Sequence, residues 1–199
     1  MTASEAEARA ALRQAMKKAR SAQDPAAALA ASHAAQRHLM AAPLWQTARS
    51  AALYAATRGE CGTDLLLADA YARGMAVWLP RVRKGAAGVM DFARVEDLSL
   101  LVTGSFGILE PPASLPGVPA RDFACDVAVI PGVAFAPSGA RLGFGGGYYD
   151  RFFSLARTAA RVGLGFAFQM AEDFRAEPWD VPMTHLCTER GLACVPAAA

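Results

Sequence analysis

A glycine-rich segment at residues 141–151 constrains the fold of this chain more than any other feature. It reads Arg-Leu-Gly-Phe-Gly-Gly-Gly-Tyr-Tyr-Asp-Arg, so four glycines stand between the cation of Arg141 and the carboxylate of Asp150. An almost wholly apolar stretch at residues 126–130 precedes it, and residues 148–157 after it have helical spacing. The order strand, glycine loop, helix is typical of an α/β domain with an anion site at the carboxyl end of a strand.

The chemistry of the loop favours a phosphate ligand, with a flexible surface turn as the alternative. Glycine has no Cβ, so it reaches positive φ and lets a ligand approach the backbone closely. Successive exposed N–H groups then form a concavity that suits phosphate oxygens. The loop is neither a Walker A loop nor a dinucleotide fingerprint. No Gly-Lys-Ser/Thr follows, and Tyr148 stands where the last glycine of G-x-G-x-x-G belongs.

Strand-like and helix-like stretches alternate after Pro43. Apolar patterns predict strands at residues 50–56, 75–79, 89–95 (half-exposed), 126–130, 161–168 and 192–195. A helix is predicted from Thr63, as its N-cap, to Gly74. This alternation predicts a three-layer α/β/α domain with a largely parallel central sheet.

Two further helices are predicted before Pro43. The first carries basic residues at i, i+4 and i+8 on one face, namely Arg9, Arg13 and Lys17. Asp24 and Pro25 have the residue types of an N-cap and a first helical position, so they predict the start of the second. We therefore expect an N-terminal helical segment ahead of the sheet.

Composition limits the function classes. A chain of 199 residues with 54% hydrophobic residues can bury one good core, so we expect a single domain over residues 1–199. The net charge of +2 is too small for the basic surface of a nucleic-acid-binding protein. No uncharged apolar run reaches the ~18 residues of a membrane span. Glu5 and Glu7 stand where a signal peptide would be apolar, so a cytoplasmic protein is expected.

The cysteines and histidines predict no metal centre. The cysteines, Cys61, Cys125, Cys187 and Cys194, form no C-x-x-C pair and have no histidine at zinc-ligand spacing. We interpret them as buried or semi-buried thiols in a reducing compartment. The histidines, His33, His38 and His185, also lack metal-ligand spacing.

The glycine segment is part of a longer pattern. Residues 131–135 read Pro-Gly-Val-Ala-Phe and residues 139–150 read Gly-Ala-Arg-Leu-Gly-Phe-Gly-Gly-Gly-Tyr-Tyr-Asp. Together they closely resemble the signature of the 5-formyltetrahydrofolate cyclo-ligases, also called methenyltetrahydrofolate synthetases. Weaker matches follow the family's order: Leu12-Arg13 with Lys17, Gly59-Glu60 with Thr63, Leu79-Pro80-Arg81, Phe106-Gly107-Ile108 with Glu110-Pro111, Gln169, Asp180 and Thr188-Glu189.

The resemblance implies a reaction and its partners. ATP and 5-formyltetrahydrofolate would give 5,10-methenyltetrahydrofolate, ADP and phosphate, with Mg²⁺ as cofactor. Phosphoryl transfer to the formyl oxygen would make an iminium phosphate, whose carbon N10 then attacks. Such transfer needs positioning and charge neutralisation more than a side-chain nucleophile. The folate substrate could carry a polyglutamate tail, and we expect a monomer.

The resemblance also implies roles for individual residues. ATP would bind Arg9, Arg13, Lys17, Arg141, Leu142, Gly143, Phe144, Gly145, Gly146, Gly147, Tyr148 and Tyr149. The folate would bind Ala55, Glu60, Met90, Phe106 and Tyr149. Arg141 and Tyr149 would be catalytic. Asp150 and Asp180 would hold Mg²⁺, whose usual protein ligands are one or two carboxylates.

Structural alternatives stay open for several of these residues. Asp180 and Glu60 have the alternative of plain loop acids, and Asp150 that of a helix cap. Met90 and Phe106 are equally consistent with a core position. The basic face of the first helix could be solvated. A basic cluster at Arg81, Arg83 and Lys84 could attract a glutamate tail, although a solvated surface is the commoner case.

Three residues depart from the family pattern. Arg9 stands where the family usually has Lys, and this changes the donor geometry although it keeps the charge. Gly62 and Ala136 replace residues that are often acidic. Two other classes therefore remain as alternatives: an inactive nucleotide- or folate-binding paralogue, and a different α/β enzyme such as a sugar-phosphate isomerase or an acyl-CoA-type transferase. ATP-dependent turnover of 5-formyltetrahydrofolate discriminates among all three.

Overall fold

The computed structural model describes residues 3–57, 59–171 and 174–196, with side chains described from residue 5 onward. The helices are α1 (Ala3–Ser21), α2 (Pro25–Met40), α3 (Pro43–Gln46), α4 (Asp64–Ala72) and α5 (Tyr148–Phe153). The strands are β1 (Ser50–Ala52), β2 (Ala76–Val82), β3 (Met90–Arg94), β4 (Val102–Thr103), β5 (Leu109–Glu110), β6 (Gly117–Val118), β7 (Ala124–Pro131), β8 (Ala134–Phe135), β9 (Arg141–Leu142), β10 (Arg157–Leu164), β11 (His185–Thr188) and β12 (Gly191–Cys194). Residues 1–2 and 197–199, the ends of the predicted domain, lie outside the described residues.

The central sheet has eight strands in the order β12-β11-β10-β7-β1-β2-β3-β6. Strands β11, β10, β7, β1 and β2 run parallel to their neighbours within this group. The edge strands β12, β3 and β6 pair antiparallel. The predicted largely parallel sheet is confirmed, and its antiparallel edges could not be read from the alternation of elements.

Helices cover the two faces of the sheet unequally. Helices α2 and α4 pack over one core, which includes Val127 and Val129 of β7. The next residues along the strand, Ala128 and Ile130, face a second core, as the period of two requires. That core is an aromatic cluster covered by α5 and includes Phe92, Phe123, Phe152 and Phe153. The three-layer arrangement is confirmed, with a thin second helical layer in the described part of the chain.

Several element boundaries differ from the sequence prediction. The first strand ends at Ala52 instead of residue 56, because the chain there turns into the loop that carries Glu60. Helix α5 ends at Phe153, since the chain enters β10 at Arg157. Strand β3 is buried on both faces, so its half-exposed prediction was wrong. Strand β11 went unpredicted; it is a short strand with three buried residues.

The start of α4 is stabilised by a different residue from the one predicted. Thr63 holds the N-cap position, but its hydroxyl donates to the carbonyl of Tyr54 at 2.6 Å. The amide oxygen of Gln36 instead accepts from the N–H groups of Leu65 and Leu66 at 2.8 and 3.2 Å. A buried side chain from α2 therefore satisfies free donors at the start of α4. Asp24 and Pro25 start α2 as predicted.

Three of the four cysteines are buried, which agrees with the prediction for those three. Cys61, Cys125 and Cys187 are buried free thiols, and burial raises the pKa of each to about 12. Cys194 is exposed, so it departs from the predicted burial. Among the described helices, none combines the length and the apolar character that crossing a membrane requires.

One aromatic ring explains three glycines at the carboxyl ends of β7 and β10. A Cβ added to Gly132 or to Gly163 would lie 2.6 Å from the ring of Phe135. A Cβ on Gly165 would lie 2.9 Å from the same ring. Phe135 is 1% exposed and belongs to β8, so its ring fixes the β8–β9 hairpin to the end of the sheet.

The packing of Phe135 against Gly163 predicts that one substitution compensates for another. Gly163→Ala should lower the free energy of unfolding by about 1–3 kcal/mol, because the new methyl group overlaps a buried ring. In a Phe135→Leu background the same change should cost clearly less, since the shorter side chain leaves room. Denaturant titration of the four proteins measures this coupling. An equal cost of Gly163→Ala in both backgrounds would contradict the packing role of Phe135.

Candidate active site

The candidate site lies where the direction of strand addition changes. From β1 the chain passes through α4 to β2 on one side, and from β7 it passes through α5 to β10 on the other. Strands β1 and β7 are neighbours, so their carboxyl ends border a crevice. Open α/β sheets bind ligands at such a switch point. Two loops meet there: residues 53–63 after β1, and residues 132–147 after β7.

The loop after β7 is a hairpin followed by the glycine segment. The hairpin strands β8 and β9 pair antiparallel, and Val133 N–H donates to the carbonyl of Leu142 at 2.7 Å. Gly145 has φ 104° and Gly147 has φ 64°, both in the region that favours glycine. Gly145 and Gly146 are exposed, so the backbone between the hairpin and α5 is accessible to a ligand.

Arg141 is the buried cation at the base of this loop. Its side chain is 4% exposed, and one terminal nitrogen lies 2.7 Å from Asp150 Oδ1. The other donates to the carbonyl of Pro131 at 3.3 Å, and the guanidinium lies 5.6 Å from the ring centre of Tyr149. Arg141 Nε is buried without a hydrogen-bond partner. Buried donors in proteins are normally satisfied, so this N–H is the kind of group that a ligand completes.

The basic face of helix α1 contacts the glycine loop. Arg13 Nε donates to the carbonyl of Gly143 at 3.0 Å. One turn earlier, Arg9 forms an ion pair of 2.9 Å with Asp180. Lys17 lies 5.8 Å from the ring centre of Phe144. The basic face of α1 is therefore not merely solvated. Arg13 contacts the glycine loop and Arg9 contacts the loop of Asp180, a candidate metal ligand.

Several of these groups line one cleft of about 570 Å³, but Arg141 and Lys17 are not among its lining residues. It brings together Arg9, Arg13, Gly143, Gly145, Gly147, Asp150 and Asp180 from the predicted set. It also includes Arg151 and Trp179, which the sequence reasoning missed. Trp179 is 62% exposed, and its position beside Asp180 was the available signal. Leu142 is fully buried under the hairpin, so only its backbone can face a ligand.

The two carboxylates proposed as metal ligands line this cleft, and each already accepts hydrogen bonds from the protein. Asp150 Oδ1 accepts from Arg141 and, at 3.3 Å, from Val181 N–H. Asp180 Oδ2 accepts from Arg9 and, at 2.9 Å, from Glu177 N–H. Among the described residues no cluster of three or more metal-type side chains occurs. Two hard carboxylates fit a Mg²⁺ that takes its other ligands from phosphate and water.

Glu60 and Tyr149 connect the β1 loop to the glycine segment. Glu60 Oε2 accepts from Thr57 N–H at 3.0 Å. The Tyr54 hydroxyl donates to the carbonyl of Cys61 at 2.5 Å and so holds the loop against the core. Burial raises the pKa of Tyr149, the Glu60 carboxylate raises it further and Arg141 opposes the shift. The phenol of Tyr149 is therefore harder to ionise than that of an ordinary tyrosine.

The other candidate folate residues differ in exposure. Ala55 is half-buried in the β1 loop. Met90 is 6% exposed within the aromatic core, which supports the core alternative for this residue. Phe106 is 61% exposed and its ring lies 6.3 Å from that of Tyr148, so it is not a core residue.

The basic cluster after β2 proves to be largely structural. Arg81 is 9% exposed, and its guanidinium lies 3.2 Å from Asp91. It also donates to the carbonyls of Pro112 and Leu115, at 2.5 and 3.1 Å. The alternative of a solvated surface residue is therefore wrong for Arg81, whose guanidinium is already partnered within the fold. Arg83 is exposed and lies 2.8 Å from Asp91, and Lys84 is exposed.

Comparison with known proteins connects this geometry to one family. The model of the 5-formyltetrahydrofolate cyclo-ligase family matches residues 5–189. A 5-formyltetrahydrofolate cyclo-ligase of Mycolicibacterium smegmatis is 35% identical over 153 residues, which cover 74% of this chain and 77% of the relative. One of Escherichia coli K12 is 31% identical over 156 residues, covering 77% of this chain and 85% of the relative.

A solved structure agrees with these relatives. The NMR structure of the 5,10-methenyltetrahydrofolate synthetase of Aquifex aeolicus superimposes with a TM-score of 0.82 and is 29% identical. The match covers 96% of this chain and 94% of that protein.

The exposed glycines predict a loss of ligand affinity that is separable from stability. Gly145→Ala should cost about 1–2 kcal/mol of folding free energy, because φ is positive although no atom obstructs a Cβ there. The added methyl group at the accessible backbone should also weaken ATP binding by roughly tenfold. Calorimetric titration with ATP and a thermal melt measure the two effects.

Gly74→Ala is the matched control. Gly74 has φ 67° and equally open space, but it lies between α4 and the amino end of β2, whereas the glycine loop lies at the carboxyl ends of the strands. It should cost similar stability and leave ATP affinity unchanged. Equal ATP affinity in the two variants would contradict a phosphate role for the glycine loop.

Proposed function

The chain belongs to the 5-formyltetrahydrofolate cyclo-ligase family, and from that premise we propose that it uses ATP to convert 5-formyltetrahydrofolate into 5,10-methenyltetrahydrofolate. ADP and phosphate are the other products. The observation that carries the proposal is the meeting of two dissimilar half-sites at the β1–β7 crevice. One is a cationic glycine loop with an unsatisfied buried N–H on Arg141. The other is the Glu60 loop, in electrostatic contact with Tyr149.

The proposed chemistry activates a poor leaving group. The formyl oxygen attacks the γ-phosphorus of ATP and ADP departs, which leaves an iminium phosphate. N10 then forms a bond to the formyl carbon, the C–O bond breaks to release phosphate, and the N10 proton is lost. Both steps move negative charge among phosphate oxygens. Fixed cations and backbone donors that need no reorganisation stabilise such charge.

Arg141 has the central role in the phosphoryl transfer. Burial at 4% exposure strengthens its field, and Asp150 and the Pro131 carbonyl hold its orientation. Its buried Nε–H has no hydrogen-bond partner, and we assign it to a transferring phosphoryl oxygen once ATP binding gives the ligand access to it. The backbone of residues 143–147 completes the cradle, and Arg9, Arg13 and Lys17 add charge from α1.

Tyr149 and Glu60 act on the folate side. Glu60 accepts hydrogen bonds from the aminopyrimidinone edge of the pterin, a charge-assisted pairing. Tyrosine is already neutral near pH 7 and burial raises the pKa of Tyr149 further, so its hydroxyl is a donor toward the formyl group. Its ring stacks on Phe153 at 6.2 Å, which fixes the ring plane. Ala55 and Phe106 contribute the apolar surroundings of the pterin, and Met90 supports them from the aromatic core.

Asp150 and Asp180 are the proposed Mg²⁺ ligands. When bound, the ion would neutralise phosphate charge and orient the β- and γ-phosphates. Each carboxylate has one oxygen outside the hydrogen bonds described above, so neither has to abandon its arginine. We further propose that a monomer acts in the cytoplasm and that it accepts polyglutamylated substrate.

The deciding experiment is an anaerobic absorbance assay of the purified protein with 5-formyltetrahydrofolate. Absorbance of the methenyl product should rise only when ATP and Mg²⁺ are both present, with one ADP formed for each product. Binding of both ligands without turnover would identify an inactive paralogue. Turnover of another substrate without ATP would identify a different α/β enzyme.

The ion pair of Asp180 leads to a prediction about the metal. Asp180→Asn should raise the Mg²⁺ concentration for half-maximal rate by roughly tenfold, because an amide lacks the charge that a hard cation needs. It should also cost about 1–3 kcal/mol of stability, since Arg9 loses its partly buried partner. Initial rates in a Mg²⁺ titration at saturating ATP, paired with a melting curve, measure both.

Arg9→Gln breaks the same ion pair from its other side. It should lower stability by a similar amount without raising the Mg²⁺ requirement, because Asp180 keeps its charge. If both variants alter the Mg²⁺ requirement equally, Asp180 acts through the fold and not as a ligand.

A further inference from the structure

A small hairpin beside the site carries an unusual backbone conformation at its tip. Strands β4 and β5 form a separate two-stranded sheet, and Phe106 lies in the turn between them. Phe106 has φ 60° and ψ 15°, the one positive φ of a non-glycine residue in the described ranges. A bulky side chain disfavours this conformation, and a 61% exposed ring gains little from burial. Other contacts must therefore hold the turn.

Glu110, the last residue of β5, provides such contacts. Its side chain is buried, its carboxylate lies against the backbone of Gly104, and the N–H groups of Ser105 and Val82 interact favourably with it. Ser105 directly precedes Phe106, and Val82 ends β2 of the main sheet. One carboxylate therefore joins the tip of the hairpin to the central sheet.

Gly104, which has no side chain, leaves space for the carboxylate of Glu110. A Cβ on Gly104 would overlap the carboxylate oxygen of Glu110, so any other residue there would displace it. Gly104 N–H donates to the carbonyl of Ile108 at 2.8 Å, and Ile108 N–H donates to Ser105 at 3.1 Å. These bonds close the turn, whereas Glu110 ties it to the sheet.

Stability does not explain a carboxylate at this position. Burial raises the pKa of Glu110, while its two N–H donors and the charges of Arg81 and Lys84 act against the shift. A raised pKa means that Glu110 adds stability only at acid pH, and that this contribution is lost as the pH rises. At neutral pH the buried charge is a cost.

The hairpin tip reaches the phosphate loop. The ring of Phe106 meets the ring of Tyr148 edge-on, with centroids 6.3 Å apart. Tyr148 follows directly on the glycines and begins α5. We propose that Glu110 is a positioning residue for the reaction: it holds Phe106 against Tyr148, so that the aromatic wall of the folate half-site keeps its place beside the phosphate loop. This inference rests on the proposed function and adds to it a residue that touches neither substrate.

Glu110→Gln tests the proposal. The amide offers one acceptor oxygen and an NH₂ donor in place of two acceptors, so only one of the two backbone N–H groups stays satisfied. The KM for 5-formyltetrahydrofolate should rise roughly tenfold, with kcat and the KM for ATP within about twofold. The melting temperature should stay unchanged or rise, because the buried charge is gone. Glu96→Gln, at an exposed glutamate near the end of β3, should behave as wild type.

A double variant separates positioning from a general role in the fold. Phe106→Gly removes the ring and relaxes the backbone, so adding Glu110→Gln should not raise the folate KM further. A further rise in that background would overturn the proposal. So would a lower melting temperature of Glu110→Gln with unchanged KM.

Direct binding distinguishes failure of this inference from failure of the proposed function. If the wild-type protein shows no ATP-dependent turnover, the proposed reaction is wrong. The dissociation constant of 5-formyltetrahydrofolate, measured by calorimetry, then decides the role of Glu110. A roughly tenfold weaker affinity of Glu110→Gln supports it, and an unchanged affinity overturns it.

Discussion

The ion pair between Arg141 and Asp150 is the contact on which the rest of the site depends. Its atoms are 2.7 Å apart, and the two side chains are only 4% and 14% exposed. The pair joins β9 to α5 across the glycine loop, so the ends of the loop are held while its middle stays open. Removing one partner of a buried pair leaves an uncompensated charge and costs about 3–5 kcal/mol. The glycine loop therefore has a fixed position at both ends, because the residues before and after it form a buried ion pair.

That pair could not form without the packing beneath it. The ring of Phe135 occupies space left open by Gly132, Gly163 and Gly165, and it seats the β8–β9 hairpin on the sheet. Gln169 adds to this anchorage, since its amide donates to the carbonyls of Gly132 and Val133 at 2.9 and 3.0 Å. The glycines of this chain thus serve two purposes. Some accept an aromatic ring within the core, whereas those at 145–147 leave the backbone accessible.

Two of the cations at the cleft are already paired with carboxylates. Arg9 is paired with Asp180 and Arg141 with Asp150, whereas Arg13 and Arg151 add positive charge to the lining. A cation bound at the second oxygens of the two carboxylates would add to this positive charge, which agrees with the proposed need for Mg²⁺. Tyr149 interacts with both Glu60 and Arg141, and burial raises the pKa of its phenol. In the proposed reaction this arrangement would separate phosphate binding by the cations from hydrogen bonding to the folate.

The sequence alone determined the class of fold, the position of the glycine loop and the family, because these depend on local patterns. Apolar periodicity and glycine spacing are readable from residues close together in the chain. The partners of Asp180, Glu110 and Gln36 were decided only by the tertiary structure. Each contacts a residue far along the chain or on another element: Arg9 at the opposite end, Val82 of the main sheet, and the start of α4. Arg81 illustrates the same limit, since a basic cluster in the sequence became a buried pair with Asp91. Burial and long-range pairing set the charge state and the role of a side chain, and both arise only when distant segments pack together.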